Sequence, residues 1–400
     1  MRCMFMSYER LLPSMTEYSR KFKRLDSLDF KIIRAILMNG AYNIRRLAET
    51  VGAPAQTVSY RVRRFDNEDI VRFRAIVNET KLGLKSYSVL GSASVGKEEV
   101  SGFALTCFPL WRYLAVVDGW KFGNYVRYAV PPDKERDLAA FLAELKRREL
   151  ISDFEIYPTS SPRYPLLDLD FHATKQAHST FDWGRWVGAF DSFAAERPDE
   201  VENCKKAEFD LIDLIILRCL ELNARTAQRV IAAEIPRILG TENGKKFIPM
   251  VSRRIQKTIN PQGLISGFRA YLFPNQEVPA LLFMFYLDFS NNTNFRKFTE
   301  ALNHLPYNTS YERMLEKDAM FVRLVVPAFE IAGMRKSFTE LAEKGYIKDA
   351  HMLLGELTQG TWDNVEIHRM FKDGAWNFSY GAALEMLENN LRRRDKEQGH

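Results

Sequence analysis

The stretch Tyr125-Val-Arg-Tyr-Ala-Val-Pro131 returns as Phe321-Val-Arg-Leu-Val-Val-Pro327, 196 positions further along a chain of 400 residues. Leu25-Asp-Ser-Leu-Asp29 recurs as Phe209-Asp-Leu-Ile-Asp213, Val58-Ser-Tyr-Arg-Val62 as Val251-Ser-Arg-Arg-Ile255, and Phe73-Arg-Ala75 as Phe268-Arg-Ala270. In chain order the offsets are 184, 193, 195 and 196, so most of the drift falls between the first two echoes. One insertion in a second copy would produce that. The sequence reads as a tandem duplication, and a function assigned to one half has to be asked of the other.

Each half begins with helices. Behind the N-cap candidate Asp26, Leu28, Ile32, Ile33, Ile36 and Leu37 recur at helical spacing, and the helix should stop near Asn39-Gly40. A short helix from about Ile44 to Val51 follows. Gly52-Ala-Pro54 breaks it and opens a third, with Val58, Val62 and Phe65 as its buried stripe. Ile70 to Val77 reads as a strand. Three helices, a tight turn before the third and then strands are the pattern of a winged helix-turn-helix. From Ser86 the period changes: Ser86–Val95, Trp111–Val117, Tyr125–Val130 and Ile151–Tyr157 read as strands, Lys97–Phe108 and Asp133–Leu145 as helices. The order βαββαβ predicts a ferredoxin-like sandwich.

The second half repeats this order over Ala280–Phe289, Asn294–Leu305, Tyr311–Leu315, Met320–Val326, Gly333–Glu343 and Ile347–Leu354. The predicted fold class is α+β, with two winged helix-turn-helix units each followed by a βαββαβ sandwich. The expected segments are a helical extension over 1–24, the first winged unit over 25–83 and its sandwich over 84–163. An aromatic-rich connector over 164–206 leads to the second winged unit, 207–275, its sandwich, 276–358, and an aromatic segment with a basic helix over 359–400. The aromatic segments, Phe181-Asp-Trp183 and Trp376-Asn-Phe378, are expected to clamp each tail onto its own half. The duplicated strands Tyr125–Pro131 and Phe321–Pro327, whose apolar residues suit a shared sheet interface, predict that one sandwich packs on the other.

An apolar content of 46 % suffices for buried cores, and no stretch has the length of a membrane-spanning helix. The first ten residues lack the apolar core of a signal peptide. Cys3, Cys107, Cys204 and Cys219 show no C-x-x-C spacing and no zinc pattern with histidine, so reduced thiols and a cytoplasmic location are expected, with no metal and no cofactor. The net charge of +6 argues for nucleic acid only where it is concentrated.

The first half resembles the Lrp/AsnC (feast/famine) transcriptional regulators. Leu25-Asp-Ser-Leu-Asp29, Leu47-Ala-Glu-Thr-Val-Gly52, Val58-Ser-Tyr-Arg-Val62, Ile70-Val71 and Lys81-Leu-Gly83 carry the resemblance, over roughly Leu25 to Tyr157. Phe209 to Leu354 matches it more weakly. Proteins of that family dimerise through the sandwich, so a tandem copy looks like such a dimer fused into one chain. The resemblance implies a regulator of double-stranded DNA, nucleoid-associated, able to pair with a second copy of itself.

In a helix-turn-helix the third helix enters the major groove. Its outer face carries Gln56, Thr57, Ser59, Tyr60 and Arg63, with Arg64, Arg45 and Arg46 adding charge. Gln can read adenine and Arg guanine, while hydroxyls suit phosphate oxygens. Residues 42–77 hold 7 Arg against 4 acids; residues 225–272 hold 9 Lys and Arg against 2 acids. Candidates there are Lys245, Lys246, Ser252, Arg253, Gln256 and Lys257. The insertion from Arg237 to Lys246 points to phosphate contacts rather than base reading. Gly240-Thr-Glu-Asn-Gly-Lys-Lys246 lacks P-loop spacing.

The Lrp/AsnC sandwich often binds an amino-acid-like effector at the turn between its second and third strands, through a glycine followed by an aspartate. Gly119, Gly123 and Asn124 occupy that place here. Siroheme decarboxylases share the architecture and carry a His-Asn-Tyr-x-Arg run, where this chain has Leu110-Trp-Arg-Tyr113 and Tyr311-Glu-Arg-Met314. With the histidine missing from both, and no Ser/His/Asp or Cys/His grouping, the chain is expected not to be an enzyme. The remaining alternative is a protein-interaction adaptor with vestigial helix-turn-helix units.

Overall fold

A computed structural model describes residues 24–40, 43–68, 70–94, 96–119, 123–173, 180–195, 205–241, 247–271, 280–355 and 366–398. The expected extension over 1–24 lies almost wholly outside them. Helix α1 (Ser27–Asn39) starts on a capping box in which Asp26 and Asp29 accept each other's backbone N–H. Helix α2 (Ile44–Val51) is capped by Asn43 and ends on Gly52 at φ 68°, a left-handed conformation that favours glycine. Helix α3 (Ala55–Asn67) follows Pro54, and Val58, Val62 and Phe65 are wholly buried, as their spacing predicts. Strand β1 (Arg72–Val77) alternates buried and half-buried residues.

The chain then forms β2 (Lys85–Ser92), α4 (Glu98–Leu105), β3 (Trp111–Gly119), β4 (Gly123–Val130), α5 (Glu135–Arg147), β5 (Asp153–Thr159), and the short α6 (Leu169–Ala173) and α7 (Trp183–Gly188). The order repeats. Helices α8 (Leu211–Leu222), α9 (Gln228–Leu239) and α10 (Phe247–Arg254) lead through a π turn (Ile255–Ile259) to β6 (Ile265–Tyr271). After them come β7 (Ala280–Phe289), α11 (Asn292–Leu302), β8 (Asn308–Arg313), β9 (Ala319–Pro327), α12 (Ile331–Glu343) and β10 (Ile347–Gly355). A small hairpin, β11 (Phe371–Lys372) with β12 (Ala375–Trp376), precedes α13 (Tyr380–Gln398).

The echoed motifs have physical reasons. Arg61 reaches back from α3 to Asp26 (2.7 Å) and Asp29 (2.9 Å), fastening the third helix to the cap of the first. Arg254 does the same to Asp210 (2.8 Å) and Asp213 (2.9 Å). The Phe-Arg-Ala triplets meet in an antiparallel ribbon of β1 and β6, with Arg74 directly opposite Arg269. The echoed triplets thus pair with each other across the two halves of the chain.

Eight strands form one antiparallel sheet in the order β5-β2-β4-β3-β10-β7-β9-β8. Within each half the strands lie fourth, first, third, second. The halves join where Leu353 pairs with Gly119. The outer edges also meet, through Thr159 with Met314 and Arg163 with Tyr311, so the sheet closes on itself. Its filling comes from both halves: Tyr125 and Phe321 meet at 5.5 Å between ring centroids, and Tyr157 and Phe321 at 5.3 Å. Strands β4 and β9, which carry the echoed motif, therefore face each other across one interior.

The aromatic tails are exchanged, contrary to the expectation that each clamps its own half. Trp183 and Trp186 of α7 pack on α11 and α12 of the second half. The Trp183 ring stacks on Tyr307 and donates to Glu330 (2.8 Å), and Trp186 donates to the carbonyl of Ala301 (2.9 Å). Conversely Phe378 meets Phe108 (5.4 Å), and Trp376 donates to the carbonyl of Leu82 (2.9 Å), both in the first half. The chain leaving β5 is drawn across the seam by its pairing with β8, so α7 lands on the other half. Gly333 makes room there: a Cβ on it would lie 2.5 Å from the Trp183 ring.

Candidate functional site

The outer face of α3 presents Gln56, Tyr60 and Arg63 to solvent, with Tyr60 65 % exposed; Thr57 and Ser59 are half-buried on its flanks. Arg45 and Arg46 are exposed on α2. No described residue forms an ion pair with Arg45, Arg46 or Arg63. Arg64 differs from its neighbours. Its guanidinium donates to Asp29 (2.7 Å), so its charge is met inside the unit. In the second half Arg253 is exposed and Ser252 half-buried on α10, while Gln256 and Lys257 are exposed on the π turn. Lys245 and Lys246 lie outside the described residues.

The three effector candidates are part of the framework. Gly119 (φ 128°) lies against β10, where a Cβ would meet the carbonyl of Met352 at 2.6 Å. At Gly123 (φ 149°) a Cβ would come within 2.1 Å of the Gly91 carbonyl, so only glycine lets β2 and β4 pair. Asn124 is buried, and its amide donates to the Glu98 carbonyl and Ser101 (both 3.1 Å), tying β4 to α4. It offers no surface to an effector at that turn.

Two buried charge clusters were not anticipated. Glu79 accepts from Arg127 (2.8 and 2.9 Å), Arg112 (2.9 Å) and Ser86 (2.9 Å), and Arg112 also pairs with Glu221 on α8. Burial would raise the Glu79 pKa, yet Arg127 and Arg112 outweigh it and hold the carboxyl below its ordinary value. The second cluster faces the sheet interior. Arg323 donates to Glu312 (2.6 Å), and the Tyr125 hydroxyl bridges Glu312 (3.3 Å) and Ser88 (2.9 Å). Burial works against the Arg323 charge, and Glu312 more than restores it. The sequence did hold a signal: Val-Arg within both echoed strands puts a cation in an otherwise apolar run.

Arg323 also lines a cleft between β6 and the second-half sheet, enclosing about 110 Å³. Its aromatic walls include Tyr113, Tyr164, Phe268 and Tyr271, and Leu37 reaches in from α1. Arg269 stands between two rings, 4.3 Å from Tyr164 and 4.9 Å from Tyr271. Among the described residues no acidic side chain lines it. Elsewhere, burial pushes the thiols of Cys107 and Cys219 up to about 11, which keeps them unreactive. Among the described residues no helix is long and apolar enough to cross a membrane.

Residues 25–72 match the winged helix-turn-helix DNA-binding family, so the class of the N-terminal unit is shown. Among solved structures, the siroheme decarboxylase NirDL is similar over 91 % of this chain and 99 % of that one, at 14 % identity and a TM-score of 0.51. An AsnC family regulator from Agrobacterium tumefaciens covers 37 % of this chain and 99 % of its own, at 21 % identity and a TM-score of 0.29. AsnC of E. coli covers 33 % of this chain and 89 % of its own, at 16 % identity and a TM-score of 0.26. No curated protein sequence matches.

The expectation that the chain is not an enzyme is corrected by the first of these. An enzyme shares the fold over nearly the whole length. The histidine missing at Leu110 and Tyr311 concerns one motif, and the architecture excludes nothing.

Proposed function

We propose that the protein is a DNA-binding transcriptional regulator of Lrp/AsnC type, two winged helix-turn-helix units and two ferredoxin-like units fused into a pseudo-dimer. The observation that carries this reading is the sorting of arginines on α3. Arg61 and Arg64 turn inward to Asp26 and Asp29, whereas Arg63, with Gln56 and Tyr60, stays exposed beside Arg45 and Arg46. A face held rigid by inward ion pairs, with unpaired cations outward, suits a polyanionic groove. In the second unit Ser252, Arg253, Gln256 and Lys257 take the corresponding part, with Lys245 and Lys246 as phosphate contacts. The π turn displaces Gln256 and Lys257 from a regular helical face, which favours backbone contacts over base reading there. The segment boundaries expected from the sequence, the nucleoid location and pairing with a second copy belong to the same proposal.

The test is a fluorescence-anisotropy titration of duplex DNA across a salt series. Log affinity should fall with log salt by about 0.9 for each neutralised phosphate. A flat response would remove DNA from the account and favour an adaptor.

A second reading, that the chain acts on siroheme, is supported by the fold shared with NirDL over 91 % of this chain. Incubation with siroheme decides it: a bound tetrapyrrole spectrum with release of carbon dioxide supports it, and neither signal sinks it.

A further inference from the structure

The segments that leave the two sheets carry an echo of their own: Phe171-His172 returns as Ile367-His368, 196 positions on. Both histidines lie where a winged unit is fastened to the rest of the chain. His172 is on α6, which packs against α1 of the first winged unit, while the chain just ahead of α6 is bound to the second half. There Leu166 donates its N–H to the side chain of Asn303 (3.1 Å), and Asp168 donates its own to the carbonyl of Leu305 (3.1 Å). His368 is 4 % exposed in the turn Glu366–Met370, which packs on α8, the first helix of the second winged unit.

His172 touches both sides of its joint. Its Nε2–H donates to the carbonyl of Pro306 in the second half (2.8 Å), and its ring stacks on Phe30 of α1, with centroids 6.4 Å apart and planes at 26°. Phe171 meets the ring edge-on at 5.4 Å. A neutral imidazole suits these surroundings, with one N–H for the carbonyl and flat faces for the rings. An imidazolium brings a second N–H and a full charge among them. Of the charged groups around the joint, Asp168 ahead of α6 favours that charge. Asp170 is taken by Arg34 of α1 (2.9 Å). Lys31 of α1 is exposed, as is His304 ahead of Pro306, which lies 3.5 Å from Glu300. Tyr307, next after Pro306, is kept protonated by burial and stacks on Trp183. Burial outweighs the Pro306 carbonyl and Asp168, so the ring of His172 gives up its proton more readily than an ordinary histidine.

We propose that His172 is a pH-sensitive bolt between the first winged unit and the second half: neutral, it holds α1 and α6 to the Pro306 segment, and protonated in acid it lets them loosen. The sign follows from the neutral ring being the favoured form in the fold. Its contribution is fully present above the ordinary histidine value of about 6.5 and is lost as the pH falls below it. This inference rests on the joint and not on the DNA-binding reading, since it concerns how the unit is attached and not what it binds.

The experiment is amide hydrogen exchange of the full chain, read by mass spectrometry at about pH 7.5 and about pH 5.5, either side of the ordinary histidine value, with rates corrected for the intrinsic pH dependence of exchange. Protection of residues 27–39 and 168–173 should fall at the lower pH relative to α5. In His172→Gln the side-chain amide still offers the Pro306 carbonyl a donor but takes no charge, and the acid-dependent loss should vanish. Asp168→Asn keeps an oxygen for the N–H groups of Asp170 (3.1 Å) and Phe171 (3.3 Å) but removes the charge that favours the imidazolium, and should enlarge the loss. No loss in the native chain, an equal loss in His172→Gln, or a loss no larger in Asp168→Asn would each overturn the proposal.

Discussion

Replacing Glu79 by Gln withdraws one charge from a cluster that is neutral only as a whole. Glu79, Arg112, Arg127 and Glu221 are each no more than 5 % exposed, two cations against two anions, and they join the first-half sheet to α8 of the second half. The substitution preserves shape and the Ser86 contact but leaves two guanidiniums facing one carboxylate. Breaking a buried pair in this way costs about 3–5 kcal/mol, because the desolvated charge is no longer compensated. The double variant Glu79→Gln, Arg127→Met restores neutrality and should recover most of that loss. Urea denaturation at neutral pH, followed by tryptophan fluorescence, gives the comparison. The pH dependence has a definite sign. The folded carboxyl lies below its ordinary 4.5, so its contribution is fully present above pH 4.5 and is lost as the pH falls through the folded value. The native chain should therefore lose stability in acid more steeply than Glu79→Gln. A single variant costing less than about 1 kcal/mol, or a double variant less stable than the single, would refute the reasoning.

Further expectations concern the other named groups. Arg63→Ala should leave the melting temperature unchanged yet weaken DNA by about 1–3 kcal/mol if the arginine reads a guanine, measured by anisotropy. Arg61→Ala should instead destabilise the first winged unit, since it strips a partner from buried Asp29. Trp183→Ala should cost about 3–5 kcal/mol in urea melts and loosen residues 180–195 in hydrogen exchange, because the ring stacks on Tyr307 and binds Glu330. Gly123→Ala should destabilise by more than about 2 kcal/mol, as its φ of 149° and the Gly91 carbonyl leave no place for a Cβ; an unchanged melting temperature would count against that geometry.

The helices and most strands were legible in the chain because they follow from local rules. The capping aspartates Asp26 and Asp210, the stripe Val58, Val62 and Phe65, and the break at Gly52-Ala-Pro54 act within a few residues, and the structure places α1, α2 and α3 where they point. The four echoes announced a repeated order of elements. They could not announce the exchange of tails, which follows the crossing of the chain at Arg163 and Tyr311. Nor could charge counts separate Arg61 and Arg64 from Arg63. Which arginine is free depends on a rotation about the helix and on Asp29 waiting 32 and 35 positions earlier. The sequence by itself determined the elements, their order and the outward face of α3. Only the tertiary structure decided that Glu79 meets Arg112 and Arg127 while Arg323 meets Glu312, because a buried charge takes its meaning from neighbours that distant segments bring to it.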